Sequence, residues 1–93
     1  MRFEWDANKA WANFLKHGVS FHEAMEVFYD PNTLERYDNL HSDDESRFSI
    51  IGLSRGRLFH VAYTERARDT LRLISARKAT GTERELYERR MVQ

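Results

Sequence analysis

At 93 residues the chain has room for one domain over 1–93, a single sheet with two or three helices on it. It lacks cysteine, which excludes a disulfide framework and cysteine-based metal sites. It also lacks any apolar run near the roughly 18–20 residues of a membrane span and any signal-peptide pattern, so a cytoplasmic protein with no membrane contact is expected.

The formal net charge of zero conceals an asymmetry between the halves. Residues 1–46 hold four Lys/Arg (Arg2, Lys9, Lys16, Arg36) against ten Asp/Glu, a balance of −6. Residues 47–93 hold eleven against five, a balance of +6, and ten of the eleven are arginine. Arginine suits bidentate phosphate contact, so this pattern points either to a polyanion-facing surface or to halves that neutralise each other by ion pairing.

Arg2-Phe3-Glu4-Trp5 alternates polar and apolar and predicts a short strand. Asp6 then caps a helix over about 7–16, whose apolar stripe is Ala7, Ala10, Trp11, Phe14 and Leu15, with Gly18 as its stop. Trp5, Trp11 and Phe14 read as core. Ser20 and Glu23 form a capping box for a second helix reaching about Phe28, with Phe21, Ala24, Met25 and Phe28 inward, so the two helices make an αα-hairpin. Thr33–Tyr37 suits an edge strand. His41-Ser42-Asp43-Asp44-Glu45 reads as a solvated acidic loop rather than a metal site, and no metal or other cofactor is expected.

Three strands follow, Phe48–Leu53, Leu58–Tyr63 and Leu71–Ala76, separated by Arg55-Gly56 and by Glu65–Asp69, the pattern of an antiparallel meander. Overlapping capping boxes at Thr80/Glu83 and Thr82/Glu85 open a last helix to about Met91. Its apolar content is Leu86, Tyr87 and Met91, too little to be stable without docking. The whole predicts an α+β sandwich with helices on one sheet face.

Arginines cluster at the strand ends: Arg47 opens the first meander strand, Tyr63, Glu65 and Arg66 end the second, and Arg77 and Lys78 end the third. Guanidiniums, a Lys, a His, a Tyr and a carboxylate suffice to cleave RNA without metal. A base takes the ribose 2′-OH proton, the oxygen attacks the adjacent phosphate, arginine steadies the charge and an acid protonates the leaving oxygen. Aromatic side chains can stack an unpaired base. His60, mid-strand, reads as packed or face-exposed, and His22 as surface. Arg84, Arg89 and Arg90 read as a solvated helix face or a partner surface.

Several stretches carry a family resemblance. Phe3-Glu4-Trp5-Asp6, Asn8-Lys9, Asn13, Lys16-His17-Gly18-Val19-Ser20-Phe21, Glu23-Ala24 and Val27-Phe28 resemble the start of the BrnT toxin family. Arg47-Phe48, Ile51-Gly52, Tyr63-Thr64-Glu65-Arg66, Ile74-Ser75-Ala76-Arg77 and Glu83-Arg84 resemble its second half. The resemblance implies a RelE-like fold, a compact antiparallel sheet with an N-terminal helical hairpin on one face and a C-terminal helix. It implies a type II toxin with metal-independent endoribonuclease activity that arrests translation. The implied partners are RNA as substrate and a BrnA-like ribbon-helix-helix antitoxin, with operator DNA reached only through that antitoxin. Carried onto this chain, it marks Arg77 and Arg66 as phosphate-binding or transition-state residues and Glu65 with Lys16 or His17 as proton-transfer candidates. Lys9, Arg47, Tyr63 and Lys78 are candidate RNA contacts. The rival readings are a catalytically inactive relative acting as an antitoxin-binding co-repressor module, and a stand-alone RNA-binding domain.

Overall fold

The computed structural model describes residues 1–38 and 46–91, so the acidic stretch His41–Glu45 lies outside the described residues. The chain is α+β. Strand β1 (Arg2–Glu4) leads into α1 (Ala7–His17), then α2 (Phe21–Ala24) continues as a 3₁₀ turn over Met25–Tyr29. After β2 (Leu34–Tyr37) comes the meander of β3 (Arg47–Ser54), β4 (Arg57–Arg66) and β5 (Thr70–Lys78), closed by α3 (Gly81–Met91).

The local signals act as the sequence predicts. Asp6 Oδ1 accepts the Asn8 and Lys9 backbone N–H groups at 2.8 and 3.1 Å, and Ser20 Oγ accepts that of Glu23 at 3.0 Å. Gly18 ends α1 in the left-handed region, φ 69°, its N–H donating to Phe14 O at 2.8 Å. Arg55 and Gly56 both have positive φ, which gives the β3–β4 turn the twist a two-residue hairpin needs.

The sheet order is β1-β5-β4-β3-β2. The expected antiparallel sheet is mixed instead, because β1 pairs parallel with β5, Phe3 opposite Leu71. The other three pairings are antiparallel. A strand that enters at the chain start and is followed by a helix along the sheet arrives beside β5 in the same direction.

Side chains alternate across the sheet, so each strand has two faces. The first face carries Ile50, Phe59, Val61, Tyr63, Leu73 and Ala76, packed with Val19, Phe21, Ala24 and Val27 into the main core. Gly52 lets the 3₁₀ turn come close: a Cβ there would stand 2.9 Å from Thr33 Cγ2 and 3.2 Å from Val27 Cβ. On the second face a smaller cluster, Ile51, Leu58 and Tyr87, seats α3.

Helix α1 departs from its predicted face. Trp11 is 63% exposed and Leu15 67%, whereas Asn13 is buried at 7%. Phe14 is also exposed, stacked on Trp11, and with Trp5 and Phe21 the pair lines an apolar groove of ≈ 390 Å³. Strand β1 covers only Thr70–Arg72 of β5, which leaves the β5 edge beyond it in need of partners. The Asn13 amide supplies them, its Nδ2 donating to Ala76 O at 2.9 Å and its Oδ1 accepting from Ala76 N at 3.0 Å. The helix therefore turns its polar residue to the sheet edge and its aromatic stripe outward.

Candidate functional site

The strand register lays the second face out in rows. One row runs Leu34, Ile51, His60, Arg77. The next is small, Ser49, Ala62 and Ser75, with Arg36 at its end. A third is Arg47, Thr64, Arg72, Glu4. At ~3.3 Å per residue, the His60–Arg77 row and the Arg47–Arg72 row stand about 13 Å apart, with the small side chains as a trough between them.

A β-bulge sets the first row. Tyr63 lies opposite Leu73 but Ala62 lies opposite Ser75, so Ile74 is the extra residue in β5. Unbroken alternation from Leu73, four residues earlier, would place Arg77 on the first face. The bulge re-aims it to the second, beside His60.

Arg77 is gripped by Glu83 from α3, Nη1 to Oε1 at 2.8 Å and Nη2 to Oε2 at 3.0 Å. Glu83 also closes the capping box at the start of α3, accepting the Thr80 N–H at 2.9 Å while its own N–H reaches Thr80 Oγ1 at 3.2 Å. His60 Nε2 lies 3.9 Å from Glu83 Oε2, too far for a hydrogen bond. Burial, then the nearby Arg77 charge, lower the His60 pKa below 6.5, against the opposing pull of Glu83 and Asp38. The imidazole is therefore neutral at pH 7. Burial alone would raise Glu83, but the hydrogen bonds from Arg77 and Thr80 outweigh it and hold the carboxyl down at about 2. The result is a fixed guanidinium, a fixed carboxylate and a neutral imidazole at one end of the trough. Among the described residues no group of three His, Asp or Glu is arranged to hold a metal ion.

The other sequence candidates are spread more widely. Arg66 shares the second face with Arg77 but lies six residues along β4 from His60, ~20 Å away. Its Nε is 4.0 Å from Glu4, which also binds Arg72 at 2.8 Å. Arg47 lies opposite Thr64, whose Oγ1 is buried with no hydrogen-bond partner among the described residues. Tyr63 belongs to the first face. It is buried, stacked on Phe48 and edge-on to Phe28, and its hydroxyl reaches Glu35 at 3.5 Å. Burial, then the Glu35 and Glu65 charges, push that phenol above its ordinary range, so it is an inert proton donor. Glu65, two residues on, alternates to the same face and is exposed. Lys9 and Lys16 are exposed and His17 half-buried on α1. Helical periodicity puts both lysines on the side of Asn13 away from Ala10 and Phe14, and so on the flank of α1 nearer the second face. Lys78 lies opposite Phe59 and faces away from Arg77.

Sequence reasoning passed over His60 and Glu83. The Thr80/Glu83 capping signal was visible, but nothing local marks Glu83 as a partner of Arg77, and the register of His60 depends on the bulge.

A family model described as "Ribonuclease toxin, BrnT, of type II toxin-antitoxin system" matches residues 5–83. The chain belongs to the BrnT toxin family. It is similar to the crystal structure of the Brucella abortus ribonuclease toxin BrnT, with 27% identity and a TM-score of 0.66, over 86% of this chain and 97% of that one. No curated protein sequence matches it. As a BrnT family member the chain is a ribonuclease toxin of a type II toxin-antitoxin system, with an antitoxin as partner and RNA as substrate. Among the described residues no helix is long and apolar enough to cross a membrane.

Proposed function

We propose that the chain cleaves RNA without a metal ion, by attack of a ribose 2′-OH on the adjacent phosphodiester, at the His60–Arg77 end of the second face. The observation that carries this is the convergence of Arg77, Glu83 and His60 beside a trough of small residues. Neutral His60 takes the 2′-OH proton as general base. Arg77 stabilises the charge on the pentavalent phosphorus. The scissile phosphate competes with Glu83 for the guanidinium fork, and Glu83 keeps that fork oriented until substrate arrives. The leaving 5′-oxygen takes a proton, for which Lys16 and His17 at the end of α1 are the candidates. Arg47 and Arg66, with Lys9 on α1, are farther cations for the RNA backbone, and Tyr63 and Glu65 fall outside this constellation because they alternate to the first face. Cleavage of cellular RNA arrests translation in the cytoplasm. The antitoxin is of the ribbon-helix-helix, BrnA-like kind and carries the pair to operator DNA.

The test is induced expression of wild type, Arg77→Ala and His60→Ala, following growth, total RNA and the ends of the fragments. Wild type should arrest growth and leave 2′,3′-cyclic phosphate ends in the presence of a chelator. Each variant, folded, should lose about 10²–10⁴-fold in cleavage rate. Full cleavage by folded His60→Ala and Arg77→Ala would overturn the site. Intact RNA and normal growth with folded wild type would favour the inactive co-repressor instead.

A further inference from the structure

Beyond the end of β5 lies a cleft of ≈ 270 Å³, lined by Gly56, Arg57, Leu58, Lys78, Ala79 and Arg84. Three cations, Arg57 at the start of β4, Lys78 at the end of β5 and Arg84 in the first turn of α3, surround it, and among the described residues no carboxylate lines it. Elsewhere on the molecule arginines meet close carboxylates, Arg55 with Glu26 at 2.6 Å and Arg72 with Glu4 at 2.8 Å. Here neutralisation is incomplete. Arg84 reaches Glu88 only at 4.0 Å, an exposed pair of little energetic weight. Arg57 is held by Glu23 at 3.2 Å and rests on the Phe59 ring at 5.0 Å, so its guanidinium is oriented rather than free-swinging. Like charges gathered around a concavity repel one another until an anion enters.

We infer that Arg57, Lys78 and Arg84 form a cradle for a backbone phosphate of single-stranded RNA, next to the one cleaved at Arg77. The inference rests on the ribonuclease reading and extends it. Arg77 and Lys78 are consecutive residues projecting from opposite faces of the same strand end, and Arg77 Nη1 donates to the Lys78 carbonyl at 3.2 Å. A strand of RNA that crosses the sheet end therefore meets one and then the other. Leu58 and Ala79 give the cleft an apolar floor against which a ribose can lie. The positive end of the α3 dipole adds to the field.

The test pairs Lys78→Gln/Arg84→Gln with wild type and His60→Ala, and uses a short fluorescent 2′-O-methyl RNA that cannot be cleaved because the attacking hydroxyl is blocked. The double variant should raise Kd by about tenfold and flatten the slope of log K against log salt by about 0.7, the value for one single-strand phosphate contact. On cleavable RNA its loss should fall on KM. Lys78→Arg/Arg84→Lys, which keeps both charges, should restore binding, and matching melting curves would show that the fold is intact. Unchanged Kd and salt slope in the double variant overturn the cradle, as does a wild type that does not bind the RNA. Lost neutralisation by the antitoxin with unchanged RNA affinity overturns it too, in favour of a protein-docking surface. Cleavage by His60→Ala at the wild-type rate would sink the catalytic assignment, while the weaker binding of the double variant would still support the cradle.

Discussion

The Asn13 carboxamide makes three buried hydrogen bonds, to the Val19 carbonyl at 3.1 Å and to both backbone groups of Ala76. It stands where a neighbouring strand would, so its loss leaves an N–H and two carbonyls without partners in the interior. Each such group costs about 1–3 kcal/mol. Asn13→Ala is therefore expected to destabilise the fold by roughly 3 kcal/mol or more, read as a lower urea midpoint with an unchanged slope. Asn13→Asp should do as badly, because a carboxylate cannot donate to Ala76 O. The caps Asp6, Ser20, Gly18 and Thr80 were readable in the sequence because each acts within four residues of itself. Asn13 was not, since its partner is 63 residues away and a polar residue on a helix is expected to face water. The apolar stripe of Trp11, Phe14 and Leu15 reads as inward by the same reasoning, and the sheet edge reverses it.

Helix α3 is held to the sheet by Tyr87 as well as by the Glu83–Arg77 pair. Tyr87 is buried on Ile51 and Leu58, and its hydroxyl donates to Asp30 Oδ2 at 2.7 Å. That carboxylate also accepts the backbone N–H of Leu53 and, through Oδ1, that of Asn32. Burial would raise Asp30, but these bonds together keep it below the ordinary carboxylate range. Tyr87→Phe keeps the packing and removes a charge-assisted bond, so a loss of about 1.5–3 kcal/mol is expected. It should appear first as faster hydrogen exchange in α3, and unchanged exchange across 81–91 would show that the bond is not the anchor. Because α3 also carries Glu83, a looser helix should leave Arg77 less well held. The sequence announced that this helix must dock, from its thin apolar content. The meander was readable from apolar runs and turn residues, although each strand extends one to three residues past its predicted ends because polar and charged residues continue the ladder. The parallel pairing of β1 was not, as it joins opposite ends of the chain. Nor was the bulge at Ile74, a single unpaired residue that decides which face receives Arg77.

Across the whole molecule, ion pairs join the acidic half to the basic one: Glu4 to Arg72, Glu23 to Arg57 and Glu26 to Arg55. Of the two readings of the charge asymmetry, neutralisation between the halves holds for these three pairs. Ion pairing also has a consequence in acid. The Glu83 pKa is depressed from 4.5 to about 2, so its stabilising contribution is complete above pH 4.5 and is lost as pH falls from there toward 2. The His60 pKa is depressed below 6.5, so the unfolded chain binds that proton more readily. Its contribution is complete above pH 6.5 and declines as pH falls below that value. Both act in the same direction, and acid unfolding should proceed in two stretches, a shallow one below pH 6.5 and a steeper one below 4.5. In Glu83→Gln the protein should start less stable at neutral pH, and its deficit against wild type should shrink as pH falls from 4.5 toward 2, measured by urea midpoints at each pH. A deficit that stays constant to pH 2 would mean that the Arg77–Glu83 pair contributes nothing through its charge. In that event Glu83 would act on the fold only as the cap of α3, and the orientation of Arg77 would have to come from the strand alone.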